Sequence, residues 1–180
     1  RKALGAKYPA KVLTEYRESE EALKEAMRTF NISVEDLTRF KGSNKLFLAH
    51  RHGATHVECG LGIRITVQYN LFAGSVANLG SNEQKEWLAG VLKRQEQGCF
   101  ALTEFRGGVL SGLIVDTTAT FKEGGFVLEA AGDARKRWIS NGLHAKWAVV
   151  IARLILGDED KGPHAFIVNL ESEGVIRTGK

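Results

Sequence analysis

The sequence has little of several features that mark particular classes of protein. Its two cysteines, Cys59 and Cys99, lack CxxC spacing, so a disulfide framework is not expected and reduced thiols in an intracellular compartment are the default interpretation. The formal net charge is only +4. Lys and Arg alternate with Glu through most of the first half, which argues against a nucleic-acid-binding surface.

The sequence also lacks an uninterrupted apolar run long enough to span a membrane. Residues 61–79 are mostly apolar, but Arg64, Gln68, Asn70 and Asn78 interrupt them. A bilayer interior penalises such polar groups heavily, so we predict a buried helix here and no membrane span. The content of 43% hydrophobic and 26% charged residues is that of an ordinary globular protein with a sizeable core.

The first half of the chain has the periodicity of helices. Apolar residues form one broad face between residues 11 and 30, and they recur at helical spacing through residues 61–79. Two patterns predict helix N-termini, Ser33 with Asp36 and Ser81 with Gln84. We therefore predict four helices before residue 98.

The second half has the alternation typical of strands. Residues 116–130 alternate on both sides of the turn Glu123-Gly124-Gly125, which predicts a β-hairpin. Runs rich in β-branched and aromatic residues at 147–156 and 165–170 predict two further strands, and residues 157–163 predict the loop that joins them.

Two charged motifs have ordinary interpretations. His52 and His56 have the spacing of helical metal ligands, and His50 is nearby. However, Gly53 stands where the metalloprotease pattern requires Glu, so we predict surface or capping histidines and no metal. The basic run 135–137 predicts a solvated edge or strand face, with an anionic ligand as the alternative.

Two segments each present an aromatic and a hydroxyl residue at the predicted end of a strand. They are residues 98–104 (GCFALTE) and 136–142 (KRWISNG). In one interpretation Phe100 and Trp138 fill a core. In the other, the strand ends bind a flat heteroaromatic ligand, with backbone N–H groups at the ring atoms and the indole over the ring. The residues alone leave both interpretations open.

Several motifs in register resemble the middle β-domain of acyl-CoA dehydrogenases and acyl-CoA oxidases. The resemblance is carried by FALTE at 100–104, TTATF at 117–121 and WISNG at 138–142, with later strands at 152–155 and 164–168. The last of these is oxidase-like in character. Upstream, GSNEQKEWL at 80–88 is similar to the family's Gly-Thr-Glu-Glu-Gln-Lys helix start.

The resemblance implies an α+β fold. It predicts a helical N-terminal domain at residues 1–97, possibly incomplete, and a β-barrel-like middle domain at residues 98–180. A C-terminal four-helix domain, which carries the family's catalytic Glu, is expected to be absent from the 180 residues. The resemblance therefore assigns no catalytic residue here, and we expect the chain alone to be inactive.

The resemblance also implies a site for FAD in the cleft between the domains. The backbone from Phe100 to Thr103 and the Thr103 hydroxyl would bind the isoalloxazine, Trp138 would pack beside it, and Ser140 would bond near N5. The full set of implied cofactor-binding residues is Phe100, Ala101, Leu102, Thr103, Trp138, Ile139 and Ser140. The next loop departs from the family pattern, and the resemblance implies Gly108 and Ser111 as substrate-binding residues there.

The implied reaction is α,β-dehydrogenation of an acyl-CoA, in which a carboxylate base takes the α-proton while the β-hydrogen passes to the flavin. The electron acceptor would be an electron-transfer flavoprotein in a dehydrogenase or oxygen in an oxidase. A homo-oligomer is expected at full length. The implied location is mitochondrial or peroxisome-like in a eukaryote and otherwise cytoplasmic. The alternatives from other classes are a non-catalytic flavin- or CoA-binding relative and an interaction scaffold.

Overall fold

The computed structural model describes residues 10–38, 44–55, 59–107, 115–130, 132, 135–173 and 175. The chain divides into two compact units, Arg1–Gln97 with Glu173–Lys180, and Gly98–Ser172. We call the first the helical unit and the second the sheet unit. Helices precede strands along the chain, so the predicted α+β class is confirmed. Among the described helices, none combines the length and apolar character that a membrane crossing requires.

The described part of the helical unit contains α-helices and one π-helical segment. In chain order they are α1 (Ala10–Phe30), α2 (Val34–Thr38), α3 (Lys45–Thr55), α4 (Cys59–Thr66), the π-helix Val67–Ala73, α5 (Gly74–Leu79) and α6 (Asn82–Lys93). The predicted helix at 61–79 is therefore present as α4, the π-helix and α5. Helix α3 was not predicted.

Both predicted helix caps are confirmed. The Ser33 amide donates to the Asp36 carboxylate at 2.8 Å, and the Asp36 amide donates to the Ser33 hydroxyl at 3.3 Å. The Ser81 amide donates to the side-chain oxygen of Gln84 at 2.8 Å, and the Gln84 amide donates back to the Ser81 hydroxyl at 3.3 Å. Each pair satisfies backbone amides that the first turn of a helix leaves without helical partners.

The core of the helical unit is closely packed and mostly apolar, with Gln68 and Arg64 buried in it as well. Helices α3 and α4 approach each other at glycines: a methyl group on Gly53 would lie 2.9 Å from the Cα of Gly62. Gly53 lowers the intrinsic helix propensity of α3, which explains why periodicity did not reveal this helix. The largest side chains of this core that are almost fully buried are Tyr69, Phe72, Leu23, Leu61, Ile65 and Leu88.

The sheet unit is built around one long strand. Its strands are β1 (Gly98–Ala101), β2 (Thr118–Lys122), β3 (Gly125–Glu129), β4 (Trp147–Leu156) and β5 (Glu159–Asn169). Strand β4 pairs in parallel with β1 and then with β2, and it pairs antiparallel with β5, while β3 pairs antiparallel with β2. The sheet is open, so the predicted barrel-like shape is only a loose description.

The two hairpins of the sheet compare differently with the sequence predictions. The hairpin of β2 and β3 is confirmed, and its turn has positive φ at Glu123 (51°) and Gly124 (81°), as a tight two-residue turn requires. The predicted loop at 157–163 is wrong. Strand β5 already begins at Glu159, and Pro163 lies opposite Arg153, beside a register shift where a strand tolerates proline.

Candidate functional site

The first predicted segment follows β1 to its end. Phe100 and Ala101 are the last two residues of that strand, with Ala101 buried and Phe100 partly buried. Leu102 and Thr103 continue beyond the strand, and Thr103 is exposed. The Thr103 hydroxyl is therefore accessible to a ligand at the point where β1 ends.

The second predicted segment is not the strand that the sequence suggested. Lys136 makes one isolated antiparallel bridge with Glu104, and the chain then turns at residues 140–144. Trp138 has a φ of 61°, which a bulky side chain rarely adopts and which ends extended pairing. Its side chain is 74% exposed, so the interpretation that Trp138 fills a core is wrong.

Backbone hydrogen bonds bring the two segments together. The Arg137 amide donates to the Thr103 carbonyl at 3.0 Å, and the Phe105 amide donates to the Arg135 carbonyl at 3.2 Å. Thr103 is thereby paired with the residue that precedes Trp138. The other two predicted residues, Ile139 and Ser140, follow directly, with Ile139 partly buried and Ser140 exposed. Gly108 and Ser111 lie outside the described residues.

Next to these paired segments lies a buried carboxylate, that of Glu104. The side chain of Glu104 has no exposed surface. Its oxygens accept hydrogen bonds from the Asp116 amide at 2.7 Å, from the Thr117 amide at 3.0 Å and from the Thr117 hydroxyl. Burial alone would raise the pKa of this carboxyl, but the bonds from Lys136, Thr117 and Asp116 outweigh burial and lower the pKa.

The partner of Glu104 is Lys136, which the sequence placed on a solvated edge. That prediction is wrong, because the Lys136 side chain is only 16% exposed. Its ammonium donates to Glu104 Oε1 at 2.7 Å, to the Ile151 carbonyl at 2.7 Å and to the Leu102 carbonyl at 3.1 Å. Burial lowers the pKa of Lys136, although Glu104 opposes the change.

The remaining basic residues of the run behave differently. Arg135 is exposed, whereas the Arg137 guanidinium lies over the Phe105 ring at 4.6 Å from its centroid. Only the middle residue of the run turns inward. Sequence reasoning missed both Glu104 and Lys136, although each belongs to one of the two motifs that it had selected.

The prediction on metal binding concerned His50, His52 and His56. Within the described residues, no group of three or more His, Cys, Asp or Glu side chains could hold a metal ion. His50 Nε2 lies 2.7 Å from Asn70 Oδ1. His56 lies outside the described residues.

Sequence comparison matches the chain to flavoenzymes of fatty acid metabolism. It is 44% identical over 124 residues to the peroxisomal acyl-coenzyme A oxidase 2 of Arabidopsis thaliana, a match that covers 62% of this chain. It is 33% identical over 115 residues, or 63% of this chain, to the human mitochondrial short-chain specific acyl-CoA dehydrogenase. The chain is homologous to acyl-CoA oxidases and acyl-CoA dehydrogenases. No family model matches it.

Solved structures of the same family share the fold. The acyl-CoA oxidase 1 of Yarrowia lipolytica has a TM-score of 0.65 at 27% identity, over 86% of this chain and 23% of the oxidase chain. The glutaryl-CoA dehydrogenase of Mycobacterium smegmatis, solved in complex with FADH2, has a TM-score of 0.63 at 26% identity, over 87% of this chain and 38% of the dehydrogenase chain.

The homology covers only part of each curated relative. The matched segment spans 18% of the Arabidopsis oxidase and 27% of the human dehydrogenase. The chain is thus similar to one part of acyl-CoA oxidases and acyl-CoA dehydrogenases. The individual roles of Thr103, Trp138 and Ser140 stay predictions that the family resemblance implies.

Proposed function

We propose that this chain supplies the flavin-facing sheet unit of a flavoprotein that oxidises acyl-CoA between its α- and β-carbons. The observation that carries the proposal is the exposed indole of Trp138. Trp138 directly follows Arg137, whose amide donates to the carbonyl of the exposed residue Thr103. The proposal is supported by homology to acyl-CoA oxidases and dehydrogenases and by the FADH2 in a structural relative.

The described residues fit a flavin ring. Large apolar side chains are normally buried, yet Trp138 is 74% exposed and has a φ of 61°. A non-glycine residue in that backbone region stores strain, which typically occurs at ligand sites. The indole would pack against the isoalloxazine, and the exposed hydroxyls of Thr103 and Ser140 would donate to its polar atoms. FAD, when bound, would supply the hydride acceptor.

The carboxylate next to Thr103 is unsuited to act as the base. Glu104 is buried, and it already accepts hydrogen bonds from Lys136, Thr117 and Asp116. These bonds lower its pKa, whereas a general base works best with a pKa near the operating pH. We assign no catalytic base among the described residues, and the family resemblance implies one in a C-terminal helical domain. We therefore propose that the described residues of the sheet unit contribute to flavin binding and not to proton abstraction.

Within this function, we favour an oxidase that passes electrons to oxygen. The identity to the Arabidopsis oxidase is 44%, against 33% to the human dehydrogenase over a segment of similar length. The alternative acceptor is an electron-transfer flavoprotein. An oxidase would produce hydrogen peroxide, and a peroxisome-like compartment would suit it better than a mitochondrion.

The test of the proposal is a fluorescence titration of FAD with the purified chain and two variants. Wild type should bind FAD, and Trp138→Ala should weaken binding by about 0.5–1.5 kcal/mol beyond the loss of buried area. Phe121→Ala is the matched control, because Phe121 is a half-exposed aromatic residue of the same unit, and it should bind as wild type does. Failure of wild type to bind FAD would contradict the proposed function.

The choice of electron acceptor has its own test. FAD bound to the chain is reduced anaerobically and then mixed with air-saturated buffer in a stopped-flow instrument. An oxidase predicts rapid reoxidation with formation of hydrogen peroxide. Slow reoxidation in the presence of oxygen would favour a dehydrogenase.

A further inference from the structure

The parallel ladder on one side of β4 has a break. Strand β1 ends at Ala101, opposite Val150, and β2 begins at Thr118, opposite Arg153. Ile151 and Ala152 therefore lie opposite no residue of either strand. Two chain segments meet at this break. One continues from β1 to Thr103, and the other leads into β2.

The Ile151 carbonyl points toward that break. The Arg153 amide donates to the Thr117 carbonyl at 2.8 Å, on the side of β4 where β2 pairs. Residues two apart in a strand direct their backbone groups to the same side, so the Ile151 carbonyl faces the same way. A strand carbonyl without a partner in the ladder needs another donor, and here the donor is the Lys136 ammonium at 2.7 Å.

Lys136 thereby joins chain segments that are far apart in sequence. One ammonium group binds Ile151 on β4, Leu102 at the end of β1, and Glu104 two residues further on. Glu104 extends the connection to Asp116 and Thr117, which precede β2. Thr103 lies between two partners of Lys136, and Trp138 lies two residues after Lys136 itself.

We propose that Lys136 and Glu104 are positioning residues for the proposed flavin site. They hold together the backbone segments on either side of the break in the sheet, so that Thr103 and Trp138 stay at adjacent positions. Neither needs to touch a ligand, because they act through the backbone on which the exposed side chains stand. The inference rests on the proposed function for the identity of the ligand. The positioning itself is a property of the sheet unit.

The competing explanation is a pair that serves stability alone. Replacing a buried ion pair by uncharged residues of similar size often restores stability, whereas removing one partner leaves an uncompensated buried charge. The double variant Lys136→Met/Glu104→Gln therefore separates the two explanations. It removes both charges, so folding should recover relative to Lys136→Met, but it removes the donor that joins Leu102, Glu104 and Ile151.

The experiment compares wild type, Lys136→Met, the double variant and the control Lys161→Met. Lys161 is paired with Glu159 on the exposed surface of the same unit. Three quantities are measured: the melting temperature, the hydrogen exchange of the Arg137 and Phe105 amides, and the affinity for FAD. The two amides report the pairing of the segments without any ligand, since they donate to Thr103 and Arg135.

Positioning predicts a double variant that melts well above Lys136→Met while the Arg137 and Phe105 amides exchange at least about tenfold faster than in wild type. It also predicts FAD affinity at least about tenfold weaker than that of wild type. Lys161→Met should match wild type in all three measurements. A double variant with wild-type exchange would overturn the inference, as would wild-type FAD affinity in a protein that binds FAD. If wild type binds no FAD but the amides of the double variant exchange faster, the proposed function fails and the positioning stands.

Discussion

In the helical unit, α3 and α4 meet at bare backbone, with Gly53 so close to Gly62 that a methyl group would lie 2.9 Å from its Cα. In the sheet unit, separate segments meet through a charged pair, with the Lys136 ammonium 2.7 Å from Glu104 Oε1. The first contact depends on the absence of side-chain volume. The second depends on the presence of donors and acceptors in fixed places.

The difference bears on how each unit responds to change. An apolar contact is non-directional, and neighbouring side chains can partly adjust to a new shape. A buried ion pair is directional, and its members are unfavourable in the interior without each other. The polar contact lies next to the exposed residues of the candidate site, where defined geometry matters more than stability.

Lys136→Met should have the largest effect on stability. It leaves the Glu104 carboxylate buried without its cation and removes a donor to the Leu102 and Ile151 carbonyls. Breaking a buried pair in this way costs about 3–5 kcal/mol. Urea denaturation, followed by the circular dichroism of the sheet unit, measures the loss. Lys161→Met should change little because exposed pairs contribute little. Equal effects of the two substitutions would show that Lys136 is not part of a buried pair.

Gly53→Ala should come next. The added methyl group would clash with the backbone at Gly62 and would lie 3.0 Å from Ile65 Cδ1, and overpacking of this kind costs about 1–3 kcal/mol. Gly60→Ala is the control, because its methyl group would have only the Ser19 hydroxyl nearby, at 3.7 Å. The control should be neutral or stabilising, since Ala is a better helix former than Gly. Thermal melts distinguish the two, and a stable Gly53→Ala protein would mean that α3 and α4 can separate without cost.

The acid limb of stability should depend on Glu104. Its folded-state pKa is lowered from the ordinary 4.5, so the unfolded state binds more protons and stability falls as the pH drops below that value toward the folded pKa. Glu104→Gln should flatten this part of the curve. Asp160 has a pKa lowered from the ordinary 3.8 by its exposed pair with Arg153, so Asp160→Asn should alter the curve at a lower pH than Glu104→Gln does. The difference between wild type and Glu104→Gln as the pH falls below 4.5 isolates the contribution of Glu104, and identical slopes for the two proteins there would refute its role.

Local patterns predicted the elements whose signals are local. The capping boxes at Ser33 and Ser81 and the hairpin turn at Glu123 each lie within a few residues, and the structure has all three. The course of residues 136–142 depends on a bridge to Glu104, some 30 residues earlier in the chain. No periodicity encodes such a distant partner, which is why a strand was predicted where Trp138 has a positive φ.

The sequence predicted which exposed residues form the candidate site, but it did not predict the ion pair next to them. Motif resemblance selected Thr103, Trp138 and Ser140, and all three are exposed in the structure. It did not reveal that the Lys136 side chain is only 16% exposed, because a run of three basic residues usually lies in solvent. The burial of Lys136 follows from the break between β1 and β2 opposite Ile151, which only the assembled sheet creates.

The smallest effects on stability should come from substitutions of the exposed hydroxyl residues. Thr103→Val and Ser140→Ala alter exposed side chains, so the free energy of unfolding should change by no more than about 0.5 kcal/mol. If the hydroxyls donate to the flavin, each bond strengthens as the ring gains negative charge on reduction, and a bond to a charged group contributes about 1.5–3 kcal/mol. A bond to the neutral oxidised ring contributes about 0.5–1.5 kcal/mol, so reduction adds about 1–1.5 kcal/mol to each bond. For a two-electron couple about 30 mV corresponds to 1.4 kcal/mol, so each substitution should lower the midpoint potential of bound FAD by about 20–30 mV. Spectroelectrochemical titration measures this shift, with Ser172→Ala as the control at another exposed serine of the sheet unit. If both variants bind FAD at the wild-type potential, the hydroxyls do not face the ring. The proposed contrast, in which Lys136 positions the backbone and its exposed neighbours contact the flavin, would then be wrong.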